Sequence, residues 1–555
     1  MPLDKIREHL AQVLEIDKND LVYPSFSHLG DLSLPLFKFT QEKKLSLEDL
    51  ALSWRDKIIQ DSKLKNIVSK VEILKAYLNI FIKTEYLSSL VLERINKEKD
   101  GYGFNDSGQG DLSIFEFSNV NTHKDFHIGH LRNVVLGNSF CQIFLANGFK
   151  SYPISYINDF GIHTAKTIWS YRQNPNSDLG ASYAQTSQKM EEDPSIAEEV
   201  GSIMTDIEKR QGENYRFWKK TREISLKNFQ NVYDLLNIKF KKTYFESQII
   251  GAGLKMSQEL LERGILKKSQ GAIIADLEEY QLGVLPIIRS DHTALYPVAD
   301  LALAAQKFND FKNLKNSYVV VDNRQSLYFK QLFKILELAG YQENFTHLSY
   351  EFVTLPEGLM SSRSGNAVSF FDLYQQVLDR LIEETKKRHP EWSEKKISQN
   401  CQRLAVAVLK FEMLKVSPNK IITFDIKEAL KFEGFSALYI LYGLVRVKSI
   451  LRKGGFKIKG DFDFSLLEHD LEKEILLKLA KYPEIVLKTK ESLDPSEIAK
   501  YLLELFRTFN DYYQKVKILS SSPEIKKVRF FFLQTIIQVA ENALSLLGLE
   551  SLDEI

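Results

Sequence analysis

The densest concentration of reactive side-chain types is Asn121-Thr122-His123-Lys124-Asp125-Phe126-His127-Ile128-Gly129-His130. It lies between a strand-like stretch and a helical one, where a parallel sheet presents its ligands. A helix start there offers unbonded N–H groups and a partial positive charge, which suits phosphate. Gly129 lets the backbone approach a ligand closely. His127 and His130, spaced for one helical turn, can point the same way and donate hydrogen bonds to phosphate oxygens. Two blander readings stand beside this one. Three histidines could ligate a metal, although no cysteine or rigid ligand geometry is near; or each could be satisfied by local hydrogen bonds. A second element, Leu359-Met360-Ser361-Ser362-Arg363-Ser364-Gly365-Asn366, follows the strand-like Glu351-Phe352-Val353. It is hydroxyl-rich and basic, suited to closing over triphosphate oxygens. Alone such a stretch is usually just a loop; the pair is far more specific.

Positioning these groups requires a scaffold, and the sequence supplies one. Leu112 to Phe117 reads as a strand, and His130 onward as a helix whose Leu131, Val134, Val135, Cys141 and Leu145 share one arc, with Gly148 as its stop. Ser151 to Ile157 is again strand-like. The valine-rich Tyr318–Asp322 suits a strand buried on both faces, and a helical stretch from Gln325 to Ala339 follows it. Strands alternating with helices imply a doubly wound α/β domain. Ahead of it, mixed patterns end in a glycine-rich stretch from Lys99 to Gly110 that marks a boundary. Beyond about residue 371 the pattern is almost wholly helical, with amphipathic blocks at 435–451 and 498–519. A chain of 555 residues is too long for one core, so about three or four domains are expected. Hydrophobic (44%) and charged (26%) fractions exclude disordered and low-complexity classes. The net charge of +1 provides no global basic field, so a nucleic-acid partner would need a local patch. The two cysteines, Cys141 and Cys401, argue against a disulfide framework. The charged, amphipathic start has no signal-peptide core, and no apolar run is long enough for a membrane span.

The two chemical elements together resemble the class I aminoacyl-tRNA synthetases, whose nucleotide site uses a HIGH sequence and a KMSKS loop. The first is intact as His127-Ile128-Gly129-His130. The second survives as Met360-Ser361, with Leu359 and Ser362 where its two lysines would stand. The wider context is similar to arginyl-tRNA synthetases: Glu116-Phe117-Ser118-Asn119-Val120-Asn121, Asn158-Asp159-Phe160-Gly161, Ile288-Arg289-Ser290-Asp291, Tyr296-Pro297-Val298-Ala299-Asp300 and Asp322-Asn323-Arg324-Gln325. Tyr439-Ile440-Leu441-Tyr442 and Phe509-Asn510-Asp511-Tyr512-Tyr513 extend the resemblance into the helical part.

The resemblance implies an α/β fold: a Rossmann-type parallel-sheet catalytic domain (106–370, with an insertion), an N-terminal α+β appended domain (1–105) that binds tRNA, a helical connector (371–415) and a C-terminal all-helical anticodon-binding domain (416–555). It implies ligation of L-arginine to the 3′ end of tRNA(Arg), with ATP and Mg²⁺ as a substrate complex and no metal held by the protein itself. Asn121 and Gln325 would hold the amino acid's α-groups, and Glu116 would line the same pocket. Glu246, Tyr296 and Asp300 would receive the guanidinium, a planar cation whose five donors need carboxylates at matched angles. Catalysis would fall to Lys124, His127, His130, Ser361, Ser362 and Arg363, with His127, Gly129, His130 and Met360 on ATP. Lys124, just before the HIGH sequence, stands where the family places a substitute for the missing loop lysine. Phe160-Gly161-Ile162-His163 departs from the usual Trp-Gly-Thr-Gln, and Leu441 from a usual Gln.

Residues 441–460 carry Arg446, Lys448, Arg452, Lys453, Lys457 and Lys459 without an acid, which reads either as a phosphate footprint or as a solvated helix face. Tyr439 and Tyr442 offer rings for unpaired bases, or serve as core aromatics. Tyr77 and Asn79 match positions that touch the outer corner of tRNA in the family. A cytoplasmic monomer that activates arginine only with tRNA bound is the resulting expectation. A tRNA-binding regulator and a small-molecule nucleotidyltransferase are its rivals.

Overall fold

The computed structural model describes residues 1–24, 26–175, 177–342, 344–356, 368–455 and 460–555. At its centre is a five-stranded sheet: β1 (Leu112–Glu116), β2 (Lys150–Ile157), β3 (Lys242–Phe245), β4 (Leu314–Asp322) and β5 (Asn344–Tyr350). The strands are all parallel in the order β5-β4-β1-β2-β3. Val319, Val320 and Val321 are buried on both faces, as the valine run requires. Glu116 sits opposite Val319 on one side and Ile154 on the other, so the end of β1 lies mid-sheet.

Helix α1 (Ile128–Ala146) links β1 to β2 and begins two residues before the sequence expectation. It packs on the sheet and also against Glu394–Leu414, Asp470–Ser492 and Pro523–Leu546. A helix covered on several sides must be apolar around most of its girth, and α1 buries Leu131, Val134, Val135, Leu136, Phe140 and Ile143. Between β2 and β3 stand four insertion helices, Ile162–Gln173, Leu179–Glu192, Ile196–Glu208 and Gly212–Leu235, with a small core of Ile168, Val200, Ile207 and Trp218. After β3 come α2 (Glu246–Glu262), a three-stranded antiparallel sheet, and α3 (Tyr296–Asp310). Helix α4 (Ser326–Ala339) joins β4 to β5.

The N-terminal unit packs helices on a three-stranded antiparallel sheet, Leu32–Pro35, Tyr77–Ile82 and Val68–Leu74. Ion pairs Arg7–Glu484 (3.1 Å) and Lys473–Asp31 (2.8 Å) hold it to the helical part. The glycine-rich stretch behind it is sealed rather than loose. Gly103, at φ +99°, lies so close to Tyr482 that a Cβ would fall 2.5 Å from the ring. Asn542 Nδ2 donates to the Lys99 and Tyr102 carbonyls. The expected amphipathic blocks are the helices Ala437–Gly454 and Ser496–Lys515. Among the described residues beyond 371 the one strand is Ile422–Thr423, which pairs in parallel with Val353–Thr354.

Candidate active site

Strands β1 and β4 are neighbours whose following helices, α1 and α4, lead to opposite edges of the sheet. That reversal opens a crevice at their carboxyl ends. A cavity of about 590 Å³ occupies it, and Glu116, Asn121, His127, Gly129, His130, Tyr296, Asp300 and Gln325 all line it. Residues scattered over the length of the sheet domain thus meet in one place.

The nucleotide-type half is built from the start of α1. His127 is its N-cap; its Nδ1 accepts from Gly129 N–H at 3.1 Å, while His127 N–H donates to His130 Nδ1 at 3.3 Å. Two N–H groups at the helix start are satisfied this way. Because each Nδ1 accepts, the proton of each neutral ring resides on Nε2, leaving two N–H donors for a ligand. The rings stack with centroids 3.8 Å apart. Burial, helped by the Lys124 charge, pushes His127 down to about 4. Burial, then His127 and Lys124, drive His130 well below the ordinary imidazole value. Both are therefore uncharged donors at neutral pH.

His123 belongs to another world. It is fully buried, with both ring nitrogens 2.8 Å from threonine hydroxyls, Thr122 and Thr221. That leaves no nitrogen for a metal and fits the locally satisfied reading. Among the described residues no group of three His, Cys, Asp or Glu could hold a metal ion. Lys124 does not line the cavity; its Nζ rests 4.5 Å over the Tyr183 ring of the insertion. Met360, Ser361, Ser362 and Arg363 lie outside the described residues. Their flanks are held to the region of α1. Phe370 N–H donates to the Phe126 carbonyl at 2.7 Å. On the other flank, the fully buried Arg132 donates to the carbonyls of Phe352, Ser417, Pro418 and Lys420. Nothing in the spacing of Arg132 announced this role.

The cation-accepting half is acidic. Asp300, on α3, accepts from the Tyr328 hydroxyl, and burial raises it to about 7 despite that bond. Glu246, the first residue of α2, is 8% exposed; its Oε2 accepts from Asn158 Nδ2 at 3.1 Å, and Asn158 lines the cavity. Burial first, then Asp300, pushes Glu246 up to about 8. Tyr296, at the start of α3, is 67% exposed. Tyr296 and Asp300, one helical turn apart on α3, both line the cavity. Glu116 also lines the cavity. Its carboxylate is ion-paired with Lys307, both side chains almost fully buried, and its Oε1 accepts from Asn119 Nδ2 at 2.9 Å. Sequence reading missed Lys307, Tyr328 and Asn158 as site residues. Lys307 lies two helical turns beyond Asp300 on α3, so the helical period could have found it.

Phe160 and Gly161 form the bend into the first insertion helix, which Ile162 and His163 open. Gly161 takes φ +131°, and His163 Nε2 lies 3.2 Å from the Asn158 carbonyl.

The expected tRNA contacts divide. Tyr77 is exposed, whereas Asn79 is only 4% exposed and its Oδ1 accepts from the Ser33 hydroxyl. Tyr439 is half-buried against the core, and Tyr442 is at the surface. The Arg446 guanidinium stands 5.4 Å from the Tyr442 ring and 5.1 Å from that of Tyr513, while donating to Asn510. These three, with Arg452 and Lys453, line a cavity of about 1030 Å³. Lys448 is spent on Glu541 and Asp553, and Arg452 donates to the Asp553 carbonyl. Lys457 and Lys459 lie outside the described residues.

A family model described as tRNA synthetases class I (R), catalytic domain, matches residues 94–424. One described as DALR anticodon binding domain matches residues 440–555. The arginine–tRNA ligase of Halothermothrix orenii is 31% identical over 98% of this chain and 99% of its own. That of Clostridium acetobutylicum is 30% identical over 99% of each. Among solved structures, the Thermus thermophilus arginyl-tRNA synthetase superposes with a TM-score of 0.82 over the whole of both chains at 23% identity. The Plasmodium falciparum arginyl-tRNA synthetase gives 0.77 at 19% identity, over 100% of this chain and 99% of that one. These two likenesses concern the fold; the full-length curated relatives and the catalytic-domain model, which covers most of the chain, decide the membership. This chain belongs to the class I arginyl-tRNA synthetase family.

Proposed function

We propose that the chain joins L-arginine to the 3′ end of tRNA(Arg) in two steps, using ATP with its Mg²⁺ as substrate. The observation that carries this is one cavity holding two imidazole donors at a helix N-terminus together with a group of acids suited to a guanidinium. In the first step a carboxylate oxygen of arginine attacks the α-phosphorus of ATP. The bond to the β-phosphate breaks and pyrophosphate leaves. In the second step the terminal ribose hydroxyl of tRNA attacks the activated carbonyl, and AMP leaves.

Glu246, Asp300 and Tyr296 receive the guanidinium, while Asn121 and Gln325 hold the α-groups. His127 and His130 donate from Nε2 to phosphate oxygens, acting as oriented dipoles and not as acids. Lys124, which rests on Tyr183, supplies with Arg363 the positive charge that the neutral imidazoles lack, while Ser361 and Ser362 offer hydroxyl donors and Met360 meets the nucleotide. Tyr442 and Arg446, with Tyr439 behind them, meet the anticodon loop; Tyr77 meets the outer corner, and Asn79 supports that strand. The enzyme acts as a cytoplasmic monomer and activates arginine only with tRNA bound. Arginine-dependent ATP–pyrophosphate exchange, with and without tRNA and with lysine as control amino acid, tests the reading. Exchange with arginine and tRNA together supports the activation step and its coupling to tRNA. Exchange without tRNA discards the coupling alone, and absence of exchange discards the activity.

A further inference from the structure

Helix α2 carries Glu246 as its first residue but starts without a local cap: Phe245 stands at the N-cap and has no side-chain acceptor to offer. The missing acceptor arrives from the end of β2. Asp159, fully buried, accepts from Ser247 N–H with Oδ1 at 2.8 Å and from the Ser247 hydroxyl with Oδ2 at 2.8 Å. Its Oδ2 also accepts from Arg222 Nε at 2.5 Å, and its backbone carbonyl accepts from Trp218 Nε1 at 2.9 Å. Both donors belong to the insertion helix Gly212–Leu235. From the same insertion, Arg210 Nη2 donates to the Ser247 carbonyl at 2.7 Å. Next door, Asn158 Nδ2 donates to Glu246 itself. The dipeptide Asn158-Asp159 thus grips the dipeptide Glu246-Ser247, and the insertion grips both.

We propose that Asp159 and Arg222 are positioning residues that set the place of the Glu246 carboxylate and so determine the affinity for the guanidinium substrate. This rests on the assignment of Glu246 to that substrate. A carboxylate displaced by about 1 Å from a cation it must meet at a fixed angle loses one to two orders of magnitude in effect. Asp159 is also an electrostatic neighbour of Glu246. The charged or titratable groups acting on Glu246 are Asp300 from α3 and Asp159 and Tyr156 from β2 and its end; Arg222, from the insertion, is ion-paired with Asp159. Asp159 opposes ionisation of Glu246, and Arg222 balances Asp159.

The two ends of the clamp therefore differ in sign, and this separates positioning from a merely structural role. Asp159→Asn removes a negative neighbour, so the pH at which arginine affinity develops moves down. Arg222→Met leaves Asp159 unbalanced, so that pH moves up. Both variants raise the KM for arginine by about tenfold or more while leaving the KM for ATP within about twofold, because the start of α1 is untouched. The experiment is arginine-dependent pyrophosphate exchange across pH 6 to 9 on the full chain with tRNA, for wild type and each variant, alongside arginine titration calorimetry. Opposite movements of the pH profile with a selective arginine KM effect support the proposal. An unchanged arginine KM in either variant, a parallel rise in the KM for ATP, or profiles moving the same way overturns it. Arg222→Met alone decides the matter if Asp159→Asn does not fold, since Arg222 reaches the surface. Wild-type chain without arginine-dependent exchange would sink the assignment of Glu246 before either variant enters.

Discussion

Glu246→Gln should make the unliganded catalytic domain more stable while disabling it. The buried carboxyl is raised from the ordinary 4.5 to about 8, chiefly by burial and then by Asp300. Raising an acid this way destabilises the folded state wherever the unfolded chain would ionise it. Below pH 4.5 both states hold the proton and there is no effect. Between 4.5 and about 8 the unfolded chain loses the proton and the folded one keeps it, so stability falls by up to about 1.4 kcal/mol per pH unit. Above 8 the ceiling of the loss is about 5 kcal/mol. Side-chain relaxation and the retained bond from Asn158 reduce what a neutral glutamine recovers to about 2 kcal/mol. At pH 8 that corresponds to a melting temperature higher by roughly 4 °C or more. Thermal denaturation of wild type and variant without arginine, at half-unit steps from pH 5 to 8.5, reads it directly. The gap must widen with pH and close near pH 5, while arginine-dependent exchange falls by at least about tenfold. A gap independent of pH, or a variant less stable at pH 8, would show that the environment of Glu246 does not oppose its charge.

Arginine binding should release protons near pH 7, because the guanidinium needs Glu246 and Asp300 ionised while burial holds them up at about 8 and about 7. Affinity then rises from pH 6 to 8.5 by about tenfold or more per ionising group, and calorimetry in buffers of different ionisation enthalpy would refute this by finding no release. Lys124→Ala should cut activation by roughly tenfold or more, the effect of one charge at the transition state, with unchanged melting; unaltered adenylate formation would show that Lys124 never leaves Tyr183. Lys307→Met strands the buried Glu116 carboxylate and should destabilise the domain by about 3 kcal/mol or more at neutral pH; chemical denaturation showing no destabilisation would mean the pair holds nothing.

How far the sequence could see depended on whether a residue's partners were local. The valine run of β4 announced its own burial, and the HIGH sequence its place at a helix start. By contrast, β3 is the short Lys-Thr-Tyr-Phe at the sheet edge, paired to one neighbour, with little local pattern to mark it. Strand alternation would put Tyr77 and Asn79 on one exposed face. Their strand instead lies between two others, and Leu78, Asn79 and Ile80 are all buried. The basic run at 441–460 is legible as charge, but the acids that absorb Lys448 come from the end of the chain. Of the candidate site, the convergence of Glu116, Asn121, His127, His130, Tyr296, Asp300 and Gln325 on one cavity was legible in the family motifs. The Glu116–Lys307 pair and the remote cap on α2 were not, because each joins elements far apart in sequence.

The charge states of the site explain why its two halves coexist in one cavity. Were His127 and His130 protonated, cations would share about 590 Å³ with Asp300 and Glu116, with Glu246 one hydrogen bond away through Asn158, and ion pairing among the protein's own groups would compete with both substrates. Burial prevents this by keeping the imidazoles neutral and the two acids reluctant to ionise. Lysine and arginine side chains on the described lining are already spoken for: Lys307 is paired with Glu116, and Arg324 with Asp322. Lys124 is held outside on an aromatic ring. The described lining thus carries little mobile charge of its own. On the proposed reading the cation arrives as arginine, which would ionise the acids as it binds, and the anion arrives as ATP, which would give Lys124 reason to exchange a ring for a phosphate. Each substrate completes the electrostatics of its own half, so a group that neither substrate neutralises, such as a lysine in place of His127 or His130, would damage arginine binding as well as ATP binding.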